Sequence, residues 1–148
     1  MLSVKIGNKK EVIMSDIDII KEQVGYNKPA TEAQIKICNL KLKQNNLPKM
    51  PTEFEDLIKQ CNGFSNEDAR IFGADVQNNN WFKDVATFNI AYFHGNSSNW
   101  LILGESDFYF FIYDSEKNKY HIADRDTLED EFPEIDFMTA VNHILRIE

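Results

Sequence analysis

The residues with the strongest claim on chemistry are Asp124, Asp126 and Thr127, which follow the strand-like stretch Tyr120-His121-Ile122-Ala123. A strand that delivers Asp-x-Asp-x-Thr to a phosphate ester would supply a carboxylate nucleophile and a neighbouring acid. Here the threonine comes one residue early, and the 24 residues after Asp124 leave no room for the later lysine and acidic elements such chemistry needs. As a calcium loop the stretch also fails, because Glu129 stands where the sharp turn needs glycine and Leu128 just before it. These residue types suit a turn at a strand end, where aspartates bond local amides. His94, His121 and His143 are scattered, form no His-Glu-x-x-His and pair with no cysteine at metal spacing. Ser97, Ser98, Ser106 and Ser115 lack a Gly-x-Ser-x-Gly elbow, and the six glycines make no phosphate loop. The expectation is a chain with no catalytic set, no metal and no cofactor.

Recognition is the chemistry that remains. Trp81 follows Asn78-Asn79-Asn80, and Trp100 follows Asn96-Ser97-Ser98-Asn99. Large aromatics beside polar loops suit interface anchors, although both would equally close the ends of a core. Residues 124–136 carry Asp124, Asp126, Glu129, Asp130, Glu131, Glu134 and Asp136 against Arg125 alone, a net of −6. Such a run is either a solvated loop or an electrostatic lure for a basic protein. With Glu105 and Asp107 nearby, the expected partner-binding set is Trp81, Trp100, Glu105, Asp107, Asp124, Asp126, Glu129, Asp130, Glu131 and Glu134.

Charge supports that direction. The formal net charge is −8, with +4 on residues 1–50 and −12 on residues 51–148. A surface of that sign repels phosphate backbones, so nucleic acid is not the expected partner. Acidic surface also serves plain solubility. Lys5, Lys9, Lys10 and Glu11 interrupt any leader-like apolar stretch, and the longest strongly apolar run is residues 108–113. Neither a signal segment nor a membrane span is expected. Cys38 and Cys61 each fall in a helical pattern, which suits reduced, packed thiols in the cytoplasm.

The elements that must position these residues are legible in outline. Ile17, Ile20 and Val24 keep helical spacing behind Ser15 as N-cap, and Gly25 can end that helix. Thr31-Glu32-Ala33-Gln34 is a capping box that opens a helix apolar over a wide arc. Thr52-Glu53-Phe54-Glu55 reads as a second box; Phe54, Leu57, Ile58 and Cys61 share one face, and Asn62-Gly63 supplies a left-handed stop. Residues 70–73 suit a short strand, and Phe82, Val85, Phe88 and Tyr92 a further helix. Residues 100–103, 108–113 and 119–123 suit three strands joined by short turns, an antiparallel meander. Asp136 caps a last helix carrying Phe137, Val141, Ile144 and Leu145. The expectation is one α+β domain over residues 1–148. It should have a single, mostly antiparallel sheet with a central meander, flanked by N-terminal helices and a C-terminal helix. Residues 1–28 would be a helical extension and 29–148 the main body. Phe110 and Ile112 should lie in a central strand against Phe54, Leu57 and Ile58.

The order of features resembles the SUKH superfamily, which includes the yeast cell-wall assembly regulator and many bacterial immunity proteins. Leu47-Pro48, a helix ending in Asn62-Gly63, Ile71-Phe72-Gly73, Leu101-Ile102-Leu103-Gly104, the aromatic strand within residues 107–114, residues 120–124 and a terminal helix carry the resemblance, over residues 30–146. This chain departs at Gly104-Glu105-Ser106-Asp107, where many relatives have a more Gly-rich turn. The resemblance implies no catalysis and binding of a polymorphic toxin, often a nuclease or deaminase domain. The acidic surface adds the expectation that this cognate toxin is basic, and the chain is expected to be a monomer or weak dimer. A second function is an intracellular adaptor or a small-ligand-binding regulatory protein on the same fold.

Overall fold

Apolar residues on both faces of residues 100–124 require a sheet covered on two sides, and that is how the chain folds. The computed structural model describes residues 2–6 and 10–148, with side chains from residue 15 onward. In chain order the elements are β1 (Leu2–Ile6), β2 (Lys10–Met14), α1 (Asp16–Gln23), β3 (Gly25–Tyr26), α2 (Glu32–Gln44), α3 (Thr52–Ile58), β4 (Phe64–Asn66), β5 (Ala69–Ile71), α4 (Val85–Tyr92), β6 (Trp100–Glu105), β7 (Tyr109–Asp114), β8 (Lys119–Asp124), β9 (Asp130–Ile135) and α5 (Phe137–Leu145). Strands β3 to β9 form one antiparallel sheet in sequential order, and β1 with β2 form a separate hairpin. The fold is α+β, as the patterning implies.

Residues 1–28 therefore hold more than a helix. The β-branched Val4, Ile6, Val12 and Ile13 favour strands and lie in the hairpin. Ser15 caps α1 through Asp18 N, and the helix stops at Gln23, so Gly25 opens β3 rather than ending a helix. At α2 the capping box forms in full, Thr31 and Gln34 serving each other's backbone amides. The second box does not form: Pro51 is the N-cap of α3, and its side chain has no acceptor to offer. That helix ends at Ile58, leaving Cys61 in the following turn and Gly63 at φ 108° beyond it.

Register sorts the core into two faces. Phe110, Ile112, Ala123, His121, Ile102 and Glu105 share one face, since they pair across β6, β7 and β8. The other face carries Phe111, Tyr113, Ile122 and Tyr120. Phe111 and Tyr120 there meet Phe137 of α5, with ring centroids 5.7 and 5.1 Å away. Glu53 of α3 lies beside Tyr120 and, with Leu57, beside Phe137, so α3 sits on the Phe111 face. Phe110 is buried as expected but packs on α4, with its ring 6.0 Å from Phe88 and 5.3 Å from Tyr92. The period of two sends neighbouring residues to opposite faces, so Phe111 meets Phe137 of α5 and Phe110 meets α4.

Where β5 ends, β6 loses its strand partner, and a side chain replaces it. Asn89 of α4 donates from Nδ2 to the Ile102 carbonyl (2.8 Å) and accepts at Oδ1 from the Ile102 amide (2.7 Å). Asn62 treats Ala74 the same way, at 3.0 and 2.7 Å. Both asparagines are buried. Such amide clamps satisfy backbone groups that would otherwise be orphaned.

Cys38 and Cys61 are free and buried. Burial, with a smaller contribution from Asp84, pushes the Cys38 thiol up to about 12 from 9.0. An unfolded chain ionises this thiol above pH 9 while the native state does not, so its contribution to stability is lost as pH rises from about 9 to 12. Two outcomes follow. In urea titrations Asn89→Leu should destabilise by about 2–5 kcal/mol, because two buried backbone groups lose their partner. Native protein at pH 8 should resist alkylation at both thiols, while urea-unfolded protein should label twice by mass spectrometry.

Candidate partner-binding surface

The acidic stretch is not a loop. After a turn at residues 125–129, it runs back along β8 as the edge strand β9. Pro133 is tolerated there because an edge strand leaves alternate amides unpaired. A strand pattern broken by proline and three carboxylates does not read as apolar alternation, which is why sequence periodicity passes over it. Asp126, Glu129, Asp130, Glu131 and Glu134 are exposed, and Phe132 among them is 38% exposed. Asp124 holds the corner by accepting from the amides of Asp126 (2.8 Å) and Thr127 (3.0 Å). Those amides keep its carboxyl below the usual range. Asp124, Asp126 and Thr127 thus act as turn residues, as their types suggested.

Arg125 is the one cation of this stretch, and it turns inward. Its Nη1 donates to the Ser106 carbonyl at 2.7 Å and lies 3.3 Å from Glu105 Oε1, while the guanidinium sits 5.1 Å from the centre of the Phe110 ring. Glu105 is only 2% exposed. Lys83 Nζ reaches its Oε2 at 2.7 Å and Arg70 Nη1 at 3.5 Å. One buried carboxylate therefore gathers three cations from β5, the loop before α4 and the β8–β9 turn. Gly104 makes room for this: a Cβ there would lie 2.6 Å from the Arg70 carbonyl oxygen, and the β6–β7 register shifts beside it. Glu105 was expected at the binding surface and is instead the centre of a buried ion cluster. Its three cations lie far apart in sequence, and no local spacing announces them.

The other expected residues part company. Asp107 is exposed at the β6–β7 tip, beside Phe108, and close to the acidic corner through the Arg125 amide, which donates to the Phe108 carbonyl (3.0 Å). Trp100 is half-buried, with its ring 4.8 Å from that of His121. His121 itself is buried, with Nδ1 2.7 Å from Asp130 Oδ1. Trp81 is 62% exposed but borders the groove over β3 and β4. Six strand spacings separate β3 from β9, about 29 Å. The sheet thus brings Asp107, Asp124, Asp126, Glu129, Asp130, Glu131 and Glu134 to one edge and places Trp81 near the other.

The asparagine run before Trp81 has a local purpose. Asn79 Oδ1 accepts from the amides of Trp81 and Phe82, both at 2.8 Å, and Asn78 Oδ1 from that of Asp84 at 2.7 Å. Asp84 then caps α4 through Thr87. The described residues contain no group of three or more His, Cys, Asp or Glu side chains placed to hold a metal ion. Among the described residues no helix is long and apolar enough to cross a membrane. No protein-family model matches the chain, and no curated protein matches it either.

Removing the carboxylate at position 105 takes the shared partner from Arg70, which is largely buried, and from Lys83 and Arg125, which are a third exposed. Glu105→Gln should therefore cost about 3–5 kcal/mol in urea denaturation, as for one partner lost from a buried ion pair. Asp107→Asn at the exposed tip should stay within about 0.5 kcal/mol.

Proposed function

We propose that this chain is a non-catalytic immunity protein of the cytoplasm, a monomer or weak dimer, that neutralises a cognate toxin domain by binding it. The toxin is a protein with a basic working face, such as a nuclease or a deaminase. One observation carries the reading: the acidic edge formed by β9 and its preceding turn is left unneutralised, because Arg125 is drawn inward to Glu105. A basic face that must hold nucleic acid is complementary to that edge, so encounter is steered by charge. The SUKH-like order of elements supports the same reading.

The absence of catalysis in this proposal rests on what the titratable groups already do. Asp124 is committed to turn amides, Glu105 to three cations, and His121 is packed under Trp100. A second reading, a small-ligand-binding regulatory protein, draws on one feature. Phe88, Ala91, Tyr92, Thr87 and Lys83 line a groove of about 410 Å³ beside α4, within the size range of ligand sites.

The test is co-expression with the toxin domain encoded beside this gene. Cells should survive with the protein and die without it, and a complex should form at micromolar concentration. The triple variant Glu129→Lys, Glu131→Lys, Glu134→Lys should slow association about tenfold or more at low salt, with the difference shrinking at 0.5 M salt. Single rim changes should each cost under about 1 kcal/mol. Equal killing with and without the protein, and no complex, would transfer the assignment to the ligand-binding reading.

A further inference from the structure

A groove lies at the other end of the sheet from the acidic edge. It has a volume of about 580 Å³ and is bordered by Trp81 and Phe82, by Tyr26 of β3, by the end of α1 and by the β4–β5 turn. Its floor is set by a pairing across β3 and β4. Gly25 stands opposite Ser65, and a Cβ on Gly25 would come within 3.3 Å of the Ser65 carbonyl oxygen. With no side chain at 25, the sheet face stays open beneath the two aromatics.

Three features of this groove point to one kind of ligand. Trp81 and Tyr26 are 62% and 47% exposed, an unusual state for large rings that line a concavity. Ser65 is 7% exposed, and its Oγ, buried in the groove lining, has no hydrogen-bond partner. Buried hydroxyls are normally satisfied, so this one marks a gap in the hydrogen bonding of the lining. The charged side chains in the lining are Glu22 and Glu67, both acidic. The nearby Lys21 lies over the Tyr26 ring with Nζ 4.8 Å from its centre, so that ring already holds a cation of its own chain. Arg146, at the end of α5, donates to the carbonyl of Asn66, a lining residue.

We propose that this groove receives a positively charged side chain, arginine or lysine, from an extended basic segment of a partner protein. Aromatic faces attract cations, most strongly where water is partly excluded, and the two carboxylates add charge complementarity. Ser65 Oγ accepts a donor from the entering side chain or its backbone. β3 is the end strand of the sheet, so the backbone of Gly25 and Tyr26 has no strand on its outer side among the described residues. An extended segment can lie along that edge while its side chain enters the groove. The groove lies at the β3 end of the sheet and the acidic edge at the β9 end, and the test of the groove needs no toxin.

The chain contains two tryptophans, which makes a direct readout available. A capped Gly-Arg-Gly-Arg-Gly peptide is titrated into ¹⁵N-labelled protein while the two indole N–H resonances are followed. The resonance of Trp81 should move in a saturable way and that of Trp100 should not. The peptide with citrulline for arginine should bind at least fivefold more weakly. Glu22→Gln with Glu67→Gln should weaken the arginine peptide by a similar factor, and Ser65→Ala by twofold or more, with spectral dispersion showing that each variant is folded. No movement of Trp81 up to 10 mM peptide, equal binding of the citrulline peptide, or movement with methyl N-acetylglucosaminide in place of the peptide would overturn the proposal.

Discussion

Glu105 keeps its carboxylate out of water, and the arrangement of one whole sheet face depends on the three cations that reach it. A lone buried carboxylate is too costly to keep ionised, so the cations must be delivered and held. Arg70 comes from β5, Lys83 from the asparagine-rich loop and Arg125 from the β8–β9 turn. Arg70 Nη2 also donates to the Asn80 carbonyl at 2.7 Å, which ties that loop to the same centre. A single carboxylate thus fixes the entry to α4 and the corner before β9. It also decides which charges the surface shows. With Arg125 withdrawn, Asp126, Glu129, Glu131 and Glu134 face solvent without a cation from their own stretch, and residues 124–136 carry half of the −12 of residues 51–148.

The edge itself is built to stay open. A seven-stranded sheet has two free sides, and free strand edges invite pairing with other copies. Here one end strand, β3, has only two residues, and the other, β9, carries three carboxylates and Pro133. Two like copies repel at β9, whereas a cationic surface does not. Inside the sheet, backbone groups left over by short strands are closed by Asn89 and Asn62 rather than by longer strands. Short strands leave room for α4 and its aromatic row, Phe72, Phe88, Tyr92 and Phe110, which forms the wall on the Glu105 side.

Much of this was legible from the amino acids. The meander of β6, β7 and β8 follows from apolar runs and short turns, and the caps at Ser15, Thr31 and Asp136 act where their residue types belong. Local signals succeeded because local hydrogen bonds made them. What stayed hidden depends on distant partners. Phe110 and Phe111 are equally apolar, and only the helix packing decides which meets α5. Glu105 looks like a turn residue until Arg70, Lys83 and Arg125, separated from it by up to 35 positions, converge on it. Strand β9 is concealed by charges and a proline that only an edge accepts. The acidic corner was readable as a patch, but the distance between it and Trp81 was not, because sheet order cannot be counted while β3, β4 and β9 go unrecognised.

The central claim is that Glu105 holds Arg125 inward and so leaves the acidic edge unneutralised. A double-mutant cycle on Glu105→Gln and Arg125→Met, read by urea denaturation, measures that coupling directly. The account predicts that the two residues couple by about 1.5 kcal/mol or more, with the double variant less destabilised than the two single changes added together. Additive effects within about 0.3 kcal/mol would mean that Arg125 is free to neutralise the acids around it, and would contradict the account.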